Sequence, residues 1–179
     1  MLRLSNRRAS AFGMALLLSA ALSGCGEESA ETSRSPLQAV TDACALLTAA
    51  EVQAATGIAP GEPVDASQGQ LPMCNWPAAD GSNMAFVNVL VAPSGNYKSY
   101  DEAVEKWAES AAGMGFPFEA DDYQEVEDAG DVGAWIVDAG MLQAHSGEIM
   151  VQITTDVAEG RDKLEAAREM ARSALARIQ

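Results

Sequence analysis

The chain has 179 residues, 48% of them apolar, and a formal charge of −15. Arg3, Arg7 and Arg8 lie in the first 24 residues, where there is no Asp or Glu, so the remainder carries 8 basic against 26 acidic groups, a net −18. A surface of that sign repels polyanions, which excludes nucleic acid as an expected partner and disfavours a peripheral grip on anionic head groups; the length suits one globular domain.

The first 25 residues open with a basic region and continue into an apolar run from Ala11 to Leu22, too short and too soon interrupted for a membrane span. This is the pattern of an export signal. The run closes on Leu22, Ser23, Gly24 and Cys25, which resembles the lipobox of bacterial lipoproteins. That resemblance implies cleavage before Cys25, diacylation of its thiol and frequent acylation of its new amino group. Small residues at Ser23 and Gly24 admit a peptidase, and each buried acyl CH2 contributes about 0.8 kcal/mol, so two or three chains hold a soluble domain on a membrane. Arg7 and Arg8 are adjacent, but the wider twin-arginine pattern is weak. The organisation expected is a signal peptide over 1–24, a lipidated cysteine and tether over 25–41, and one domain over 42–179. The tether, "GEESAETSRSPLQAVTD", is polar and aperiodic, as flexible spacers are.

An anchor and a tether imply an extracytoplasmic, oxidising compartment, on the outer side of the cell membrane or at an outer membrane. There Cys44 and Cys74 are read as a disulfide rather than as zinc or redox ligands, since no CxxC spacing or histidine cluster accompanies them. Thr48 and Glu51 have capping-box spacing, Leu47 and Val52 fit a hydrophobic staple, and Gly57 supplies a stop, so a first helix is expected over Ala49–Thr56. Cys44 just ahead of that helix could be a thiol of lowered pKa, but a nucleophilic cysteine needs a base and the chain has one histidine.

"GEPVDASQGQLPMCNWP" and "NMAFVNVLVAP" read as two or three antiparallel strands. Ala85, Val87, Val89 and Val91 make one apolar face, while Phe86, Asn88 and Leu90 make a mixed one, so both sides should be partly covered. Ser99 and Glu102 form a second capping-box pair, and Tyr100, Ala103, Val104, Trp107, Ala108 and Ala111 mark an amphipathic helix ended by Gly113. On that stripe Trp107 reads as core rather than as a ligand platform. The stretch "EADDYQEVEDAGD", over 119–131, reads as a solvated acidic loop; its carboxylates could serve calcium, but the spacing is not that of an EF-hand. "AWIVDAG", "MLQAHSG" and "EIMVQITT" follow as strands, and a last helix carries Leu164, Ala167, Ala171, Ala174, Leu175 and Ile178 on one face. The order helix, strands, helix, strands, helix predicts an α+β domain, an antiparallel sheet covered by helices, with strand, turn, strand, helix occurring twice in the manner of an internal duplication.

These motifs in this order, "CALLTAAEVQAATG", "CNW", "GDVGAW", "MLQAHSG", "VQITT" and a closing "MARSALARI", are similar to the small bacterial cell-envelope lipoproteins with a Cys-x-Leu-Leu-Thr opening, catalogued as a domain of unknown function and frequent in actinobacteria. The resemblance covers most of the chain from Asp42 and departs at Gly133, where the pattern often has an acidic or small polar residue. It implies a Cys44–Cys74 disulfide, an envelope location and no established enzymatic activity, and it supplies no catalytic residue, metal or cofactor.

Two functions of different class fit. One is a non-enzymatic binding module for a partner protein or small ligand, with a groove between sheet and helix near Trp76, Phe86, Phe116, Phe118 and Trp135. The other is a carboxylate-dependent extracytoplasmic hydrolase, for which Asp121, Asp122 and His145 are the candidates. His145 is expected to be exposed at a strand end, and Ser146, its neighbour, points to the opposite face, so those two make no dyad. "GMGFPF" lacks the downstream Gly and Lys of a phosphate loop.

Overall fold

The structure is a computed structural model that describes residues 40–113 and 119–178. Cys25, the signal and most of the tether lie outside the described residues, as do Phe116 and Phe118.

The chain enters through a 3-10 turn, Ala43–Leu46, capped by the Asp42 carboxylate accepting from the Cys44 N–H at 2.8 Å. Helix α1, Ala49–Thr56, has both arms of its capping box: the Glu51 N–H donates to Thr48 Oγ1, and the Glu51 carboxylate accepts from the Thr48 N–H. Leu47 and Val52 are buried in the same core. Gly57 ends the helix at φ +74, its N–H donating to the Gln53 carbonyl, a left-handed conformation that suits a residue without a Cβ.

Three strands follow, β1 (Val64–Asp65), β2 (Met73–Trp76) and β3 (Val87–Pro93), then helix α2 (Tyr100–Gly113). The α2 capping box is only half closed. The Glu102 N–H donates to Ser99 Oγ, but the Glu102 carboxylate reaches back past Ser99 to accept from the Lys98 N–H. Ala85, expected on the apolar face, is exposed because pairing begins at Val87.

The second half holds β4 (Tyr123–Glu125), β5 (Val132–Ile136), β6 (Met141–Ser146), β7 (Ile149–Thr155) and helix α3 (Lys163–Ile178). Reading 119–131 as a solvated loop misses two elements: a 3-10 turn over Ala120–Asp122, and β4 as an edge strand with Tyr123 buried. Seven acidic residues mask the strand, because only Tyr123, Val126 and Ala129 of this stretch point into the protein.

All seven strands form one antiparallel sheet in the order β1-β2-β3-β7-β6-β5-β4, so two meanders, each followed by a helix, meet at the β3/β7 pair. The α+β architecture and the helix, strands, helix, strands, helix order are those expected from the sequence. Directly opposed residues share a face, so the register sorts the side chains. One face carries Cys74, Val89, Ile153, Leu142 and Trp135 in a single row, roofed by α1, α3 and the first 3-10 turn. Ala167, Ala171 and Ala174 of α3 are fully buried there; small side chains let the helix lie close to the strands. The disulfide between Cys44 and Cys74, with Cα atoms 4.9 Å apart, ties the entry turn to β2 beneath this roof. Arg177 locks the far end of α3 down by donating to the Leu46 carbonyl and, at 2.8 and 2.9 Å, to both carboxylate oxygens of Glu51.

Among the described residues, a helix covers the opposite face at one end only. Helix α2 packs over β4 and β5, with Val104, Tyr123, Ala134 and Ile136 as a second small core. Across β2, β3, β7 and β6 the same face shows two rows of half-buried side chains: Asn75, Asn88, Thr154 and Met141, then Met73, Leu90, Gln152 and Gln143.

Candidate functional site

The residues proposed from sequence as an enzyme site do not come together. His145 is not an exposed strand end: it is 3% exposed, because β6 turns it onto the face that α2 covers. Its ring is stacked under Trp107 at 4.6 Å with an 18° interplanar angle, and Tyr97 meets it edge-on at 5.4 Å. Trp107 in turn packs against Tyr97 and Tyr123. The Trp107 side chain, expected to be core, is half-buried and forms the lid of this aromatic box.

A serine meets the imidazole, but it is Ser94 rather than Ser146. Ser94 follows β3 and is brought beside His145 as its N–H donates to the Glu148 carbonyl across the end of β7. Ser94 Oγ lies 2.6 Å from His145 Nδ1 and 2.8 Å from the Gly95 carbonyl. The hydroxyl has one proton and a carbonyl only accepts, so Oγ donates to Gly95 and accepts from Nδ1–H. This assigns the neutral Nδ1–H tautomer and leaves Nε2 a bare lone pair; Nε2 is buried with no hydrogen-bond partner among the described residues. Burial lowers the His145 pKa to about 4.

That chemistry is a poor general base. In that tautomer Nδ1 already carries its proton and cannot take one from Ser94, and among the described residues no carboxylate orients the ring as in a hydrolase triad. Asp121 and Asp122 sit in the second 3-10 turn, where Asp122 caps the Glu119 N–H at 2.8 Å. Asp121 lines an open groove of about 790 Å3 between α2 and the segment Ala120–Tyr123, together with Asp101, Glu105 and Glu109. No group of three or more His, Cys, Asp or Glu side chains among the described residues could hold a metal ion.

Among the described residues no aromatic groove stands where it was sought; Phe116 and Phe118, also expected in it, lie outside them. Trp76, Phe86 and Trp135 all belong to the larger core under α1 and α3, at 2%, 2% and 7% exposure. Their burial leaves the opposite face, with its two mixed rows, as the sheet surface not roofed by a helix of the described residues. None of the eight residues in those rows is ionisable, on a domain dominated by carboxylates. Asn88 Nδ2 donates to Asn75 Oδ1 at 2.6 Å, and Gln143 faces Gln152 directly across the β6/β7 pair. Gln143 Oε1, like His145 Nε2, is buried without a hydrogen-bond partner among the described residues. The alternation of Val87, Val89 and Val91 marks one apolar face in the sequence, and the structure sets that face under α3. Nothing local marks Ser94 as the partner of a histidine 51 positions later.

The fold and this surface define a disulfide-closed α+β protein with one roofed and one half-open sheet face. Comparison with protein-family models, with curated proteins and with solved structures finds no match to the chain.

Proposed function

We propose that the protein is a lipid-anchored extracytoplasmic lipoprotein of the cell envelope that acts as a non-enzymatic binding module, with the half-open sheet face as its ligand surface. The observation that carries this reading is the pairing of a closed Cys44–Cys74 disulfide with a lipobox-like Leu22-Ser23-Gly24-Cys25. Disulfides persist in oxidising compartments, which is where a lipobox delivers a chain. The bare face supports the binding role. Interface centres are depleted of charge and enriched in Met, and this face combines an absence of charge with Met73 and Met141. The hydrolase reading loses ground because Asp122 caps the Glu119 N–H and Asp121 lines the groove beside α2, while the His145 ring lies stacked under Trp107.

Mass spectrometry of the membrane-extracted protein tests the anchor. A diacylated Cys25 at the first position is expected, and Cys25→Ala should move the domain into the soluble fraction. An unmodified mature terminus, or a Cys25→Ala chain that stays in the membrane, would sink the reading.

A further inference from the structure

We infer that the outer edge of β4 takes up an extended basic segment of a partner protein as an added strand, a docking surface separate from the half-open face. β4 ends the sheet, and among the described residues it pairs with β5 alone. The Val126 N–H donates to the Gly133 carbonyl at 3.0 Å, and residues of an antiparallel strand direct their backbone groups alternately at the partner and away from it. Val126 and Gln124 therefore face β5, while Tyr123 and Glu125 face outward. The Tyr123 N–H turns back to the Ala120 carbonyl, which leaves the Tyr123 carbonyl and both backbone groups of Glu125 as the open edge. A groove flanks this edge on each face of the sheet, as the alternating side chains of an added strand require. On the α2 face it is the groove of about 790 Å3, where Tyr100, Val104 and Tyr123 supply apolar surface. On the roofed face, where Gln124 lies opposite Trp135, a groove of about 580 Å3 runs between β4 and the start of α3, with Val126 and Leu164 in its lining.

Charge selects the occupant. Asp101, Glu105 and Asp121 of the first groove, and Glu125 and Glu127 of the second, form no ion pair among the described residues. Arg168, the cation in the lining of the second groove, is engaged by Glu165. Carboxylates of β4 and α2 converge on Tyr100: burial first, then the charges of Glu125 and Asp101, push its hydroxyl above the ordinary value. Lys and Arg side chains fit such grooves, laying their alkyl stems on apolar surface and offering their charge to carboxylates at the rim. Charge alone would protect a bare edge from aggregation; a groove with apolar lining on both sides is more than that protection needs. Pairing the β4 edges of two copies would set these carboxylates against one another, which disfavours self-association there.

The test is fluorescence anisotropy of the full-length protein in neutral detergent micelles, with a labelled octapeptide in which pairs of lysines and pairs of valines alternate, so that both faces of a strand carry charge. Saturable binding is expected, weakening several-fold when salt is raised from about 0.05 to about 0.3 M. The same peptide with alternate backbone amides methylated keeps its charge but loses ladder donors, and should bind about tenfold more weakly. Glu125→Pro removes the outward N–H at an edge position, where proline is tolerated, and should weaken binding about fivefold beyond Glu125→Gln, which removes the charge alone. Glu105→Gln combined with Asp121→Asn should also weaken it about fivefold, whereas Glu159→Gln, an exposed carboxylate outside both grooves, should not. A thermal melt checks that each variant is folded, and the methylated peptide reads the ladder on the unaltered protein. The inference is overturned if the octapeptide does not bind by about 1 mM, if the methylated peptide binds equally well, or if spermine displaces it at equal concentration. Equal binding by folded Glu125→Pro and Glu125→Gln would overturn it too. Sedimentation showing a dimer that Glu125→Pro dissociates would assign the edge to a second copy instead.

Discussion

Replacing Cys44 and Cys74 together by alanine isolates what the cross-link contributes. The bridge spans 30 residues, from the entry turn to β2. In the chain-entropy account, opening a loop of that size raises the entropy of the unfolded chain by about 12 cal/mol/K, which is about 3.6 kcal/mol at 25 °C. Cys74 is fully buried, so the lost sulfur adds a cavity cost of about 1 kcal/mol. A domain of this size unfolds with an entropy of about 0.3 kcal/mol/K, so the melting temperature should fall by roughly 12 to 15 °C. With a urea m-value of about 2 kcal/mol/M, the midpoint should drop by about 2 M. The assay is urea unfolding of the oxidised domain followed by tryptophan fluorescence, with thiol labelling of the denatured, unreduced protein finding neither cysteine free. A loss below about 1 kcal/mol, or two free thiols in the parent, would refute the reasoning.

Other expectations concern protons and packing. His145 has its pKa lowered from 6.5 to about 4 by burial, so its neutral form is favoured in the folded state; its contribution is whole above pH 6.5 and drains away as pH falls toward 4, by up to about 3 kcal/mol. Its imidazole signals in an NMR titration should show no charging at pH 6, and a midpoint near 6.5 would contradict the buried box. For Glu51, burial raises the pKa but the hydrogen bonds from Arg177 and Thr48 outweigh it and bring the carboxyl down to about 2. The pair is about one-third exposed, so Arg177→Ala should cost about 1 to 2 kcal/mol, part of it from the Leu46 carbonyl, and should flatten the stability loss between pH 4.5 and 2. Equal acid sensitivity in parent and variant would discard the link. At Gly133 a Cβ would come within 2.5 Å of the Val126 carbonyl and 2.8 Å of Ala129 Cβ, so Gly133→Ala should lose about 1 to 3 kcal/mol in the same urea assay. A neutral substitution there would mean the 126–129 segment yields freely.

Where local chemistry and periodicity coincide, the sequence alone reaches the structure. The capping box of Thr48 and Glu51, the Gly57 stop, the alternation of Val87, Val89 and Val91, and the alanine stripe of α3 each carry their instruction within a few residues, and each element forms as read. The pairing of Cys44 with Cys74 was legible too, since the expectation of export leaves these two cysteines one partner each. Strand β4 was not legible, because exposed acidic residues surround the buried Tyr123 and a three-residue edge strand has no period to detect. His145 was misplaced for a different reason. A polar residue beside a turn is exposed by default, and only the crossing of α2 over the sheet, with Trp107 above and Ser94 delivered from the end of β3, makes it a buried neutral acceptor. Which sheet face is roofed and which is left half-open is likewise a property of helix placement: the strands present apolar residues on both sides, and the connections after β3 and β7 decide that α3, with α1 packed against it, covers one while α2 covers only the end of the other.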